Sequence, residues 1–101
     1  MTIKSLTEQI ENVSQEYTKK FGIACDTNWF VLKLQEELGE LIQAYLMLEG
    51  KARRKGKSEG ELQDDFNKEV ADVFCHVLLL AKHTNVDLEK EVQEKWLVWK
   101  K

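Results

Sequence analysis

The sequence contains no proline, and only five glycines, two cysteines and two histidines among its 101 residues. Without proline, nothing forbids long helix interiors anywhere in the chain. Cys25 and Cys75 stand in unrelated contexts, which suits a reducing compartment better than a disulfide framework. No window approaches the roughly 18 to 20 consecutive apolar residues of a membrane span, and no apolar signal core follows Met1 to Ser5. A net charge of -3 gives no general attraction to a nucleic acid polymer or an anionic membrane. These absences predict a cytoplasmic protein with neither of those partners. Alternation of β-branched residues is also scarce, which points to an all-α chain.

What is present is a globular balance, 43% hydrophobic and 33% charged, in a length suited to one domain spanning 1–101. A capping box at Ser5 to Glu8 predicts the first helix, with Leu6, Ile10, Val13 and Tyr17 as its apolar face and Gly22 as its stop. Asp26 or Thr27 caps a second helix ending near Gly50. Ser58 to Glu61, another capping box, opens a third helix reaching about His83. Asn85 suits a left-handed cap, and Asp87 starts a fourth helix carrying Leu88, Val92, Trp96 and Trp99. Short connections make this a four-helix bundle-like domain centred on the second and third helices.

Acidic residues punctuate the apolar faces of those two helices in matching register. On the second, Phe30, Leu34, Leu38, Leu41, Tyr45 and Leu48 share a stripe, with Glu37 at its edge and Glu40 about 60° further round. On the third, Leu62, Phe66, Val70, Val73, Val77 and Leu80 form the stripe, and Glu69 and Asp72 repeat the two acidic positions. Packing stripe on stripe places all four carboxylates on one side of the seam. Crowded carboxylates repel and need a cation, and oxygen ligands without clustered Cys or His favour Mg²⁺, with Mn²⁺ as a substitute. The alternative is that these acids are solvated residues beside an amphipathic stripe.

Other residues carry two readings. Lys51 to Lys57, with Arg53, Arg54 and Lys55, is either a solvated loop or a phosphate-contacting arm. His76 either makes a structural hydrogen bond or stands behind the metal ligands touching substrate. Trp29 either packs in the core or stacks on a base. The exposed run Trp96-Leu97-Val98-Trp99 is apolar on every side, which predicts a homodimer or a dimer of dimers that buries part of the second helix or the C-terminal segment.

The motif Glu36-Glu37-x-x-Glu40, then twenty-eight residues, then Glu69-x-x-Asp72, resembles the signature of the MazG-like all-α nucleoside triphosphate pyrophosphohydrolases. Its setting, Lys33 to Leu41, Ala71-Asp72-Val73, Leu78 to Ala81 and Asp87-Leu88, is similar as well, so the likeness covers about Trp29 to Val92. The resemblance implies the all-α NTP pyrophosphatase fold and Mg²⁺-dependent hydrolysis of a (deoxy)nucleoside triphosphate between its α- and β-phosphates, in nucleotide-pool house-cleaning. It implies Glu37, Glu40, Glu69 and Asp72 as metal ligands, with Glu36 helping to orient water or ligand. Lys33, at the start of that setting, is a candidate substrate-binding cation. The family's basic, asparagine-containing C-terminal segment is matched here only by Lys95 and Lys100, and Trp99 stands where a polar group is expected. Phosphoribosyl-ATP pyrophosphohydrolase is the related enzymatic alternative, and a non-catalytic helical interaction module the alternative of another kind.

Overall fold

A computed structural model describes residues 1–99 and is all-helical. Its helices are α1 (Ile3–Phe21), α2 (Thr27–Leu48), α3 (Glu59–His83) and the short α4 (Leu88–Lys95), followed by a 3-10 turn at Leu97–Trp99. The sequence-predicted caps account for most boundaries. Asp26 Oδ1 accepts from the Trp29 amide at 2.8 Å and starts α2. Ser58 and Glu61 exchange the two bonds of a capping box and start α3. Asp87 accepts from the Lys90 amide at 3.1 Å. Gly22 closes α1 with φ at 64°, and Asn85, beyond the end of α3, takes φ at 60°.

The first cap differs from expectation. Thr2, not Ser5, is the N-cap, and Ser5 occupies the third helical position, where its hydroxyl accepts from the Thr2 amide at 3.0 Å. Serine can serve either position of a box, so Ser5-x-x-Glu8 looked complete without Thr2. The face of α1 also differs. Val13 and Tyr17, expected inside, are more than half exposed, and the one buried residue of the helix is Glu11.

The most extensive helix interface joins α2 and α3, and α1 packs on α3. The expected four helices are present, and α4 is the least embedded of them, only two turns long and with no buried residue. Among the described residues the buried apolar side chains are Phe30, Leu62, Leu78, Leu79 and Ala81.

On α2 the inward direction is rotated from the predicted stripe. Leu38 and Tyr45 are 45% and 47% exposed, whereas Glu37 is 8% exposed; Val70, from the predicted α3 stripe, is 45% exposed as well. The stripe predicted from hydrophobic spacing thus splits: Phe30 turns inward with Glu37, while Leu38 and Tyr45 join Val31 and Ile42 in an exposed apolar row. The exposed Trp96, Leu97, Val98 and Trp99 extend the apolar surface at the other end of the chain. The radius of gyration is 16.2 Å, against about 13 Å for a compact chain of this length. No helix of the described residues is long and apolar enough to cross a membrane.

Candidate metal centre

Antiparallel pairing of α2 and α3 sets the first carboxylate group against the second. Glu37, Glu69 and Asp72 each present an oxygen within 4.8 Å of the others, and Glu36, Glu37 and Glu40 do the same. Glu37 belongs to both sets and is the pivot of the cluster. It is buried, Glu69 is half-buried, and Glu36, Glu40 and Asp72 are exposed.

Two carboxylate oxygens in this cluster, Glu37 Oε2 and Glu69 Oε2, are buried without a hydrogen-bond partner, as is His76 Nδ1. An unsatisfied buried polar atom costs about 1–3 kcal/mol, and more when charged, so such atoms mark a place for a missing partner. Burial pushes the Glu37 carboxyl above the ordinary range, and the neighbouring Glu40 carboxylate adds to the shift. Glu69 is raised by burial and then by Asp72 and Glu40. Both acids hold their charge at a cost that a cation would remove. The donor set is all oxygen, drawn from two rigid helices, and fits a hard divalent ion such as Mg²⁺.

Two protein cations approach the pivot. Lys33 Nζ lies 2.8 Å from Glu36 and 3.6 Å from Glu37, and the Glu36 bond raises the lysine and lowers the glutamate. His76 Nε2 lies 3.7 Å from Glu37, but burial, aided by Lys33, depresses the imidazole and favours its neutral form.

The cluster separates two clefts. One, of about 450 Å³, is lined by Val13, Ser14 and Tyr17 of α1, Trp29, Lys33 and Glu37 of α2, and Asp72, Cys75 and His76 of α3, among others. The other, of about 510 Å³, is lined by Glu40, Gln43, Met47, Lys57, Lys68, Glu69 and Asp72, among others. Asp72 borders both.

The structure thus brings Trp29, Lys33 and His76 to the first cleft beside the carboxylates. Trp29 is half-buried, its ring meeting Phe30 edge-on with centroids 5.0 Å apart. From the basic run only Lys57 lines a cleft; Arg53, Arg54 and Lys55 line neither, and nor does Lys95. Arg54 is engaged elsewhere, donating to the Leu48 carbonyl at 3.1 Å and pairing with Glu59. Lys55 takes φ at 55° in the turn before Gly56. Lys100 lies outside the described residues.

Sequence reasoning missed the α1 wall of the first cleft and the pairing of buried Glu11 with His83, whose facing atoms are 2.9 Å apart. The available signal was the small polar series Thr7, Ser14 and Thr18 running alongside Glu11, which marks an inward polar face on α1. Comparison with protein-family models, curated proteins and solved structures finds no match to this chain.

Proposed function

We propose that the protein is a Mg²⁺-dependent nucleoside triphosphate pyrophosphohydrolase, cleaving a (deoxy)nucleoside triphosphate to monophosphate and pyrophosphate in cytoplasmic nucleotide-pool cleaning. The observation that carries this is the pair of buried, unpartnered carboxylate oxygens on Glu37 and Glu69, set beside Asp72 where two clefts meet. The spaced acidic motif that resembles the MazG-like enzymes supplies the reaction.

Glu37, Glu40, Glu69 and Asp72 would hold the metal, which when bound draws charge off phosphate oxygens and lowers the pKa of a bound water. In the reaction, water oxygen bonds to the α-phosphorus, the bond from that phosphorus to the bridging oxygen breaks, and pyrophosphate leaves. Glu36, exposed and held by Lys33, orients water or ligand at the edge of the cluster. The first cleft suits the nucleoside, since Trp29 and Tyr17 offer ring faces to a base. The second suits the departing phosphates, since Lys57 and Lys68 border it. The exposed apolar rows favour assembly as a homodimer or a dimer of dimers.

The test is phosphate release with added pyrophosphatase over the common NTPs and dNTPs and phosphoribosyl-ATP, with Mg²⁺ or EDTA. Turnover restricted to phosphoribosyl-ATP would select the related enzyme, and none with any substrate would leave a helical interaction module. In the same series, Glu69→Gln and Asp72→Asn should abolish turnover. They should also shrink the Mg²⁺-induced thermal shift, whose underlying stabilisation is about 2.7 kcal/mol in wild type at 100 times the metal Kd.

A further inference from the structure

One buried charged group takes no part in the metal centre. Glu11, at 5% exposure the most buried residue of α1, places its two carboxylate oxygens 3.0 and 2.9 Å from His83 Nε2 at the end of α3. Gln15, one turn on, donates to the same carboxylate at 3.0 Å. The His83 ring lies flat on Phe30 of α2, with centroids 4.0 Å apart and planes at 16°. Phe30 in turn meets Trp29 edge-on. Glu11, His83, Phe30 and Trp29 therefore form one line of contact from α1 through α3 to the first turn of α2.

This line ends at the first cleft. Ile10, Val13, Ser14 and Tyr17, adjacent to Glu11 in the chain, form one wall of that cleft, and Trp29 stands in another. Apolar packing holds this half of α1 weakly, because Val13, Tyr17 and Phe21 are 67%, 52% and 59% exposed. The buried Glu11 carboxylate, bonded to a partly exposed side chain from another helix, is then a fixed point there.

The geometry points to Glu11 and His83 as positioning residues that set the width of the nucleoside cleft, Glu11 holding the α1 wall and His83 steadying Trp29 through Phe30. They belong neither to the carboxylate cluster nor to the cleft lining, so they govern how well a ligand fits and leave metal binding alone. The assignment of the cleft to a nucleoside rests on the proposed function; the mechanical coupling of Glu11 to Trp29 does not.

The experiment reads both. In a Trp96→Phe/Trp99→Phe background Trp29 is the sole tryptophan, and acrylamide quenching reports its exposure without any nucleotide. Glu11→Ala should increase quenching, and Glu11→Gln, which keeps an acceptor for His83, should restore the wild-type value. His83→Phe keeps the stack on Phe30 and removes only the bond, so it provides the same reading if Glu11→Ala folds poorly. With dNTP substrate, Glu11→Ala or His83→Phe should raise KM roughly tenfold at nearly constant kcat, well within the cost of a small misplacement. The Mg²⁺-induced thermal shift should not change. Quenching unaltered in both variants, or Glu11→Gln as damaging as Glu11→Ala, or a lost Mg²⁺ shift, would overturn the proposal. Altered quenching with no hydrolysis of any nucleotide would retain the coupling and refute the proposed function instead.

Discussion

Lys33 Nζ lies 3.6 Å from the Glu37 carboxylate, whose second oxygen is buried and unpartnered. This ammonium half-answers the repulsion within the acidic cluster and competes with any metal for it. Lys33→Met should therefore lower the melting temperature in EDTA, because the like charges lose their nearest compensation. The same change should shift the Mg²⁺ titration midpoint to lower concentration, because a positive neighbour has been removed. Melting curves over a magnesium series measure both; a weaker magnesium response would contradict the placement of the ion.

The buried acids should make stability in EDTA depend on pH. Glu37 and Glu69 are raised in the folded protein, so each favours the fold when protonated, and that contribution is lost as pH rises through their raised values. Glu37→Gln should melt higher than wild type near neutral pH, the gap closing as pH falls towards about 4.3, the ordinary glutamate value. His76 acts in the opposite sense. Its depressed pKa means that the stability it contributes is present above about 6.5 and is lost as pH falls below it. His76→Asn should remove that loss. Calorimetry in EDTA across this range separates the two.

Arg54 and Lys57, three residues apart, should respond differently to substitution. Arg54 caps α2 through the Leu48 carbonyl, so Arg54→Gln should cost about 1 kcal/mol of stability and leave KM unchanged. Lys57 makes an exposed ion pair with Asp65, of small value to stability, and borders the cleft proposed to take the phosphates. Lys57→Gln should raise KM with little change in melting. A reversed pattern would move the phosphate contact to Arg54.

The row Val31, Leu38, Ile42 and Tyr45 should be covered by a second copy of the chain. Light scattering should give at least twice the 11.8 kDa chain mass. Ile42→Lys should reduce it to the single-chain value. An unchanged mass would move the interface to Trp96–Trp99.

Much of the fold is local chemistry and was legible. Asp26, Ser58 and Asp87 cap because a short acceptor precedes a helical run, and Gly22 stops α1 because the left-handed turn suits it. The pairing of Glu37 with Glu69 and Asp72 followed from register alone. The rotation of α2 did not. A stripe shows which residues are apolar, but the direction that faces inward depends on what the neighbouring helix offers, and here α3 receives Glu37 in preference to Leu38. Glu11 was hidden for a related reason: its partner His83 is 72 residues away in sequence, a distance no helical periodicity can register.

The spread-out shape noted above has a consequence for how this protein behaves on dilution. A chain with so few buried apolar side chains has little to gain by folding alone, and a domain of its size is marginal even when compact. If a second copy supplies the missing core, folding and association become one event, and the melting temperature climbs with protein concentration. The same mass action would reach the carboxylates, since α2 carries both the exposed row and Glu37. Specific activity would then fall on dilution more steeply than enzyme amount alone requires, and adding Mg²⁺ would shift the assembly equilibrium along with the chemistry.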